Sequence, residues 1–162
     1  MAMEALDDIE QWFEQGNTVA ILDATNTTRK RRQLIDFYCS ARQWRLFFIE
    51  SVCEDEEIIN KNIMQAKLTL PGYQSMTEEE ALVDFKKRIE YYRSQYETLD
   101  ANNKIDAEYG FVQFVDLGHH VIVNRPKSAL EFRIITFLMN LHVTPRVIYL
   151  SRHGESEHNL KG

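Results

Sequence analysis

The chain has 162 residues, 44% hydrophobic and 27% charged, a soluble-globular composition long enough for one domain with a real core. Its formal net charge of -6 argues against tracking a nucleic-acid backbone, and no apolar run approaches the ~20 residues of a membrane-spanning helix. Two cysteines without CxxC or metal-ligand spacing, and an acidic start (MAMEALDDIE) unlike a targeting signal, make the cytosol the expected setting.

Leu6, Ile9 and Phe13 recur at helical spacing, with Gly16 as a stop. Val19-Ala20-Ile21-Leu22 is an unbroken apolar run ending at Asp23, which predicts a strand covered on both faces of a parallel sheet. Leu34, Ile35 and Tyr38 mark a second helix, and Leu46-Phe47-Phe48-Ile49 a second buried strand. A short helix is expected around Ile58 to Met64, then a turn at Pro71-Gly72. Thr77 and Glu80 spell a capping box ahead of a long helix. Its Leu82, Phe85, Ile89, Tyr92 and Tyr96 step by three and four, which predicts one buried face. Residues 111–116 and 120–124 read as shorter strands about a turn with Gly118, and a further helix runs from about Ser128 to Met139. Pro145 punctuates a linker, after which Val147-Ile148-Tyr149-Leu150 starts a new strand. Helix, strand, helix, strand is the α/β order.

Asp23 closes the first predicted strand, at the carboxyl edge where open α/β sheets bind ligands. A turn aspartate capping the next helix is the other reading. The segment DATNTTRKRR, Asp23 to Arg32, sets three threonines and an asparagine before four bases at the expected helix start. Positive charge there opposes the helix dipole, which favours a phosphate-bearing ligand over a solvated charge run. NIMQAK, Asn62 to Lys67, ends a short amphipathic helix on a lysine that solvent alone would explain. Arg88 and Tyr92 share a helix face and could clamp a phosphate, although Tyr92 also belongs to the apolar stripe. RHGESEHN, Arg152 to Asn159, follows the last strand directly. A histidine beside an arginine and a glycine suits a phosphoryl-accepting nucleophile, with a surface loop as the alternative.

Together LDATNTTRKRR, FFIESVC, NIMQAKL, DFKKRIEYY, LMNLHVTPR and RHGESEHN resemble, in order and spacing, the bifunctional 6-phosphofructo-2-kinase/fructose-2,6-bisphosphatase family over essentially the whole chain. The resemblance implies an α/β fold: an incomplete phosphate-loop kinase-type parallel sheet with flanking helices, lacking the phosphate-loop strand. Residues 1–142 would be a partial kinase domain, and 143–162 a linker with the first strand and RHG motif of a truncated histidine-phosphatase domain. The implied activities are ATP-dependent phosphorylation of fructose 6-phosphate at the 2-position and hydrolysis of fructose 2,6-bisphosphate through a phosphohistidine.

By the same resemblance, Asp23 matches a catalytic aspartate that orients the acceptor hydroxyl and helps hold Mg2+. Thr25, Arg31, Arg88 and Tyr92 match residues that bind fructose 6-phosphate. Lys67 matches a lysine meeting both the sugar and the transferring phosphoryl group. It lies in a segment, Asn62, Ile63, Met64, Gln65, Ala66 and Lys67, that lines the ATP site. Cys53 matches a cysteine near the kinase active site, though its chemistry alone is that of a small buried hydrophobe. His153 matches the phosphohistidine nucleophile, with Arg152 and Asn159 binding fructose 2,6-bisphosphate. ATP and Mg2+ are the implied cofactors, and a homodimer or pairing with a full-length subunit the implied assembly.

None of the 6 glycines opens the GxxxxGK[ST] loop with which such a kinase cradles ATP. The expectation is therefore a chain inactive as a kinase on its own and marginally stable, with the strands at 19–22 and 46–49 left as open edges. The competing reading is a non-catalytic product that binds sugar phosphate or pairs with another subunit.

Overall fold

The computed structural model describes residues 2–69, 71–73 and 75–141, without the side chains of residues 2, 66–69 and 71. The predicted strand at 147–150, Arg152, His153, Asn159 and the side chains of Ala66 and Lys67 lie outside that description. The elements in chain order are α1 (Ala2–Glu14), α2 (Arg29–Ala41), β1 (Phe48–Val52), α3 (Glu56–Thr69), α4 (Glu78–Arg93), β2 (Phe111–Val115), β3 (His120–Asn124) and α5 (Ala129–Met139). The protein is α/β: a mixed sheet of order β1-β2-β3 with helices around it. Strands β1 and β2 run parallel with Phe48 opposite Phe111, whereas β2 and β3 form an antiparallel hairpin with Val115 opposite His120. The central strand is the driest, with Phe111 and Val112 fully buried, and Phe48, Leu99 and Tyr109 pack around Phe111.

Local chemistry sets the helix starts. Thr28 caps α2 by accepting from the Arg31 N–H at 3.2 Å. Thr77 and Glu80 form the expected capping box on α4, and Ser128 with Glu131 forms another on α5. Each box satisfies N–H groups that a helix start leaves without intrahelical partners. Between β2 and β3 the chain reverses through Asp116, Leu117 and Gly118, all in the left-handed region. Gly110 has a different reason to be glycine. A Cβ there would meet the Phe47 ring and the Arg125 carbonyl oxygen, each at 3.2 Å, where the chain enters β2.

Two sequence expectations are corrected. Residues 17–23 form no strand, and Ile21 is 88% exposed. A strand exists through its hydrogen-bonded ladder, and no described strand lies alongside this segment. Its hydrophobic run reads as a strand only where a neighbour covers it. The edge of β1 away from β2 is likewise unpaired among the described residues. The second correction concerns α4. Leu82, Phe85 and Ile89 are only half-buried, Tyr92 is 50% exposed, and Tyr96 lies past the helix end. Ala81 is the buried residue of that helix, and of the stripe Tyr92 and Tyr96 line a cleft instead of a core.

Helix α1 docks on α2 through a polar cluster at the rim of its apolar contact. Leu6 is buried, and the Phe13 and Trp44 rings meet edge-on at 4.7 Å. The Arg42 guanidinium lies 3.6 Å over the Tyr38 ring and grips Glu10 with Nε and Nη2 at 2.7 and 2.8 Å. The Tyr38 hydroxyl lies 3.0 Å from both Asp7 and Glu10, and burial followed by those bonds pushes its pKa up to about 12. The Arg42 bonds, aided by Tyr38, hold the Glu10 carboxyl below its ordinary value of 4.5. A depressed carboxyl stabilises the fold above its unfolded pKa and loses that contribution as pH falls through the folded one. Glu10→Gln should therefore melt below the parent protein at pH 7, and the gap should close progressively as pH drops under 4.5. Melting temperature against pH for the two proteins checks this.

Candidate functional site

A cleft of about 330 Å3 opens beside β1. One wall is the loop Asp23–Thr27, the floor is Phe48 to Ser51, and the other wall is Tyr92, Tyr96 and Leu99. Asp23, Thr25 and Tyr92, three of the residues singled out by sequence, therefore converge on one space. Asp23 is exposed and makes no hydrogen bond to the described residues, so it is not the cap of α2; Thr28 is. The Thr25 hydroxyl accepts from Thr27 at 3.1 Å. Asn26, between them, has a φ of 42°, a left-handed turn that asparagine tolerates better than most residues.

The block of bases divides into two roles. Arg29 donates from Nε to Asp106 at 2.9 Å and from Nη1 to Glu97 at 3.2 Å. Glu97 also accepts the Arg29 backbone N–H at 2.6 Å, placing a carboxylate at the positive start of α2. Burial works against the Arg29 charge, but the bonds to Asp106 and Glu97 outweigh it and raise its pKa. Arg32 is buried, donating from Nη1 to the Asn26 carbonyl at 3.1 Å and facing Asp106 from Nη2 at 3.5 Å. Two of the bases thus find their anions inside the protein. Arg31, half-buried in the first turn of α2, has no side-chain ion pair among the described residues, and Lys30 is exposed.

Glu50 is the residue that sequence reasoning missed most plainly. It is 4% exposed at the cleft floor. Its carboxylate accepts from the Tyr96 hydroxyl at 2.6 Å, Gln113 Nε2 at 2.6 Å, Thr98 Oγ1 at 3.1 Å and the Leu99 N–H at 3.3 Å. Burial first, then the bond to Glu50, pushes the Tyr96 phenol pKa up. The available signal was a charged residue in the middle of the apolar run FFIESVC and a glutamine in FVQFV. The Arg32–Asp106 pair offered no local signal, because its members are brought together only by the fold.

Other expected residues stand away from the cleft lining. Arg88 is exposed one turn before Tyr92, and its Nη1 donates to the Tyr73 hydroxyl at 2.6 Å, a bond that raises the arginine pKa. Cys53 lies just past β1, where burial pushes its thiol up and its carbonyl accepts from Arg93 Nη2 at 3.3 Å. Asn62 and Gln65 are exposed on α3, Met64 is half-buried and Ile63 is buried, and α3 packs along α4. The backbone of Ala66 and Lys67 continues that helix.

Among the described residues no group of three His, Cys, Asp or Glu side chains is placed to hold a metal. Mg2+ is commonly bound by one or two carboxylates beside phosphates and water, and the unpartnered Asp23 fits one such position. The triphosphate of ATP fits less well, since no glycine-rich cradle of backbone N–H groups occurs in the sequence. Among the described residues no helix is long and apolar enough to cross a membrane.

The fold and cleft define an α/β protein with a cleft along β1, beside the basic start of α2. The family model for 6-phosphofructo-2-kinase matches residues 1–145, and the chain belongs to that family. It is 46% identical over 162 residues to 6-phosphofructo-2-kinase/fructose-2,6-bisphosphatase 4 of Rattus norvegicus, covering 99% of this chain and 34% of that protein. It is 43% identical over 162 residues to form 3 of Homo sapiens, covering 99% of this chain and 31% of that protein. The chain therefore spans about a third of the length of these curated relatives.

The Glu50 network makes a stability prediction. Glu50→Ala leaves the Tyr96, Gln113 and Leu99 donors without their acceptor, which should cost about 3 kcal/mol or more. Urea unfolding of the variant against the parent measures it, with Asp23→Ala as a cleft substitution expected to change stability little.

Proposed function

We propose that this chain forms the acceptor-sugar side of a 6-phosphofructo-2-kinase site, and that the cleft takes fructose 6-phosphate. The observation that carries the proposal is the convergence of Asp23, Thr25 and Tyr92 on one cleft, with Asp23 unpartnered among the described residues. In this reading Asp23 accepts a hydrogen bond from the sugar hydroxyl that receives the phosphoryl group, and orients it. Phosphoryl transfer asks a protein chiefly for positioning and charge neutralisation, and a free carboxylate at the acceptor supplies the first. The hydroxyls of Thr25 and Tyr92 hold the sugar. Arg31, unpaired at the start of α2, meets the 6-phosphate with the helix dipole behind it. Arg88 joins by turning from the Tyr73 hydroxyl toward the cleft, one helical turn from Tyr92.

Mg2+ would share Asp23 with substrate oxygens and neutralise charge on the transferring group. The residues present do not assemble a cradle for the ATP phosphates. Lys67 and the segment from Asn62 remain the proposed ATP-side contribution of this chain, on sequence match. In the longer proteins of the family, the same match assigns Arg152, His153 and Asn159 to hydrolysis of fructose 2,6-bisphosphate. A cytosolic setting suits the two free thiols, Cys39 and Cys53.

The test is thermal unfolding of the chain with and without millimolar fructose 6-phosphate. Ligand at 100 times its dissociation constant stabilises a folded protein by about 2.7 kcal/mol, which is a shift of several degrees. The expected result is an upward shift that glucose does not give and that Arg31→Ala abolishes. A cooperative transition indifferent to the sugar phosphate would end this reading.

A further inference from the structure

Arg32 is 2% exposed, yet it lines the cleft. A guanidinium is costly to bury, and this one is not fully repaid locally: its Nε and Nη2 make no hydrogen bond. What it does make is a bridge. Nη1 donates to the Asn26 carbonyl at 3.1 Å while Nη2 faces Asp106 Oδ1 at 3.5 Å. Asp106 is fully buried and is itself fixed by Arg29 Nε at 2.9 Å and the Asp100 N–H at 3.2 Å. The bridge therefore runs from the turn between Asp23 and Thr28 to the segment that follows the opposite wall.

Asn26 is where that bridge matters. Its φ of 42° lies in the left-handed region, which asparagine tolerates better than most residues but which still carries some strain for a residue with a Cβ. The Asn26 side-chain oxygen is buried without a partner, so the carbonyl bond from Arg32 is the side-chain contact that pins this residue. Asp23 and Thr25 lie on the same short loop, and their positions follow from the turn. A second tie, from the Glu97 N–H to the Thr27 carbonyl at 2.9 Å, fixes the loop end next to α2 and leaves the part near Asp23 to Arg32.

We infer that Arg32, anchored by Asp106, is a positioning residue. It holds the left-handed turn at Asn26 and so sets where Asp23 and Thr25 stand relative to Tyr92. Its effect on ligand affinity rests on the acceptor-sugar reading above, whereas its effect on the loop does not. Arginine suits the position because its fork bonds the Asn26 carbonyl from Nη1 while Nη2 keeps its charge 3.5 Å from Asp106; the single ammonium of a lysine keeps the charge beside Asp106 and gives up the Asn26 carbonyl.

The experiment compares wild type, Arg32→Lys, Asp106→Asn and Arg31→Ala. Melting reports folding, the 13Cα and 13Cβ chemical shifts of Asn26 report its left-handed backbone, and calorimetric titration with fructose 6-phosphate reports affinity. Arg32→Lys is expected to melt cooperatively, to lose the left-handed signature at Asn26 and to bind about tenfold more weakly, the scale of one lost contact. Arg31→Ala is expected to bind weakly with the Asn26 signature intact, a split that a merely structural Arg32 would not give. An unchanged Asn26 signature in Arg32→Lys overturns the inference, and so does a loosened turn with unchanged affinity. Should Arg32→Lys fail to fold, Asp106→Asn, which keeps the shape and weakens the anchor, is read the same way. Failure of both to melt cooperatively would make the pair a folding requirement and overturn positioning. If wild type binds no fructose 6-phosphate, the sugar reading falls, and the Asn26 signature alone decides the role of Arg32.

Discussion

A carboxylate that is fully buried costs several kcal/mol unless charge and hydrogen bonds meet it, and Asp106 is such a carboxylate. Its Oδ2 accepts from Arg29 Nε and the Asp100 N–H, and its Oδ1, with no hydrogen bond, faces the Arg32 guanidinium at 3.5 Å. Satisfying it pulls the first turn of α2 against the segment after α4, which brings the loop from Asp23 up to the cleft. The cleft wall, the helix start and the turn at Asn26 are thus consequences of one desolvated acid. Removing a partner from such a group is far more damaging than its net contribution suggests, because the charge left behind has no water to turn to.

Glu50 handles the same problem differently. Among the described residues no cation is bonded to it; neutral donors from Tyr96, Thr98, Gln113 and the Leu99 backbone occupy its oxygens. The first acid ties the Asp23 loop down and the second ties down the residues that follow Tyr92. Both acids sit under the cleft or behind it, so its two walls are held by polar interactions, while the apolar cluster around Phe111 supports the sheet beneath. An apolar core excludes water without fixing direction, whereas hydrogen-bonded carboxylates fix distances, which is what a site for a small polar ligand needs.

Local physics was the legible part of the sequence. Thr77-Glu80 announced its helix because a cap is decided within four residues. The run Val19 to Leu22 misled because an unbroken apolar segment describes a strand only when neighbours supply its ladder, and the sequence carries no record of whether they are there. The block Arg29 to Arg32 misled in part for a related reason. Its unfavourable placement against the helix dipole did require an anion, but for Arg29 and Arg32 the anions are Glu97 and Asp106, distant in sequence. Asp23, Thr25 and Tyr92, singled out by motif order, line one cleft. Glu50 and Gln113 were visible only as polar residues in apolar runs, a pattern whose meaning depends on a partner elsewhere.

The charges around the cleft narrow what it can hold. Asp23, at one wall, makes no hydrogen bond to the described residues, the floor acid Glu50 is held by internal donors, and Arg31 and Lys30 stand at the start of α2, outside the cleft lining. A bare phosphate within 4 Å of Asp23 would be repelled by about 4 kcal/mol per unit charge at an effective dielectric of 20, more than the cleft hydroxyls would return. A neutral sugar would suit Asp23, which can only accept hydrogen bonds from it, but would leave the basic helix start without a counter-charge. A sugar phosphate divides along the same line as the protein: hydroxyls toward the carboxylate and the threonine, anion toward the helix. That division is why the acceptor reading needs Arg31 free, and why the reassignment of its neighbours Arg29 and Arg32 to internal acids strengthens the case for it.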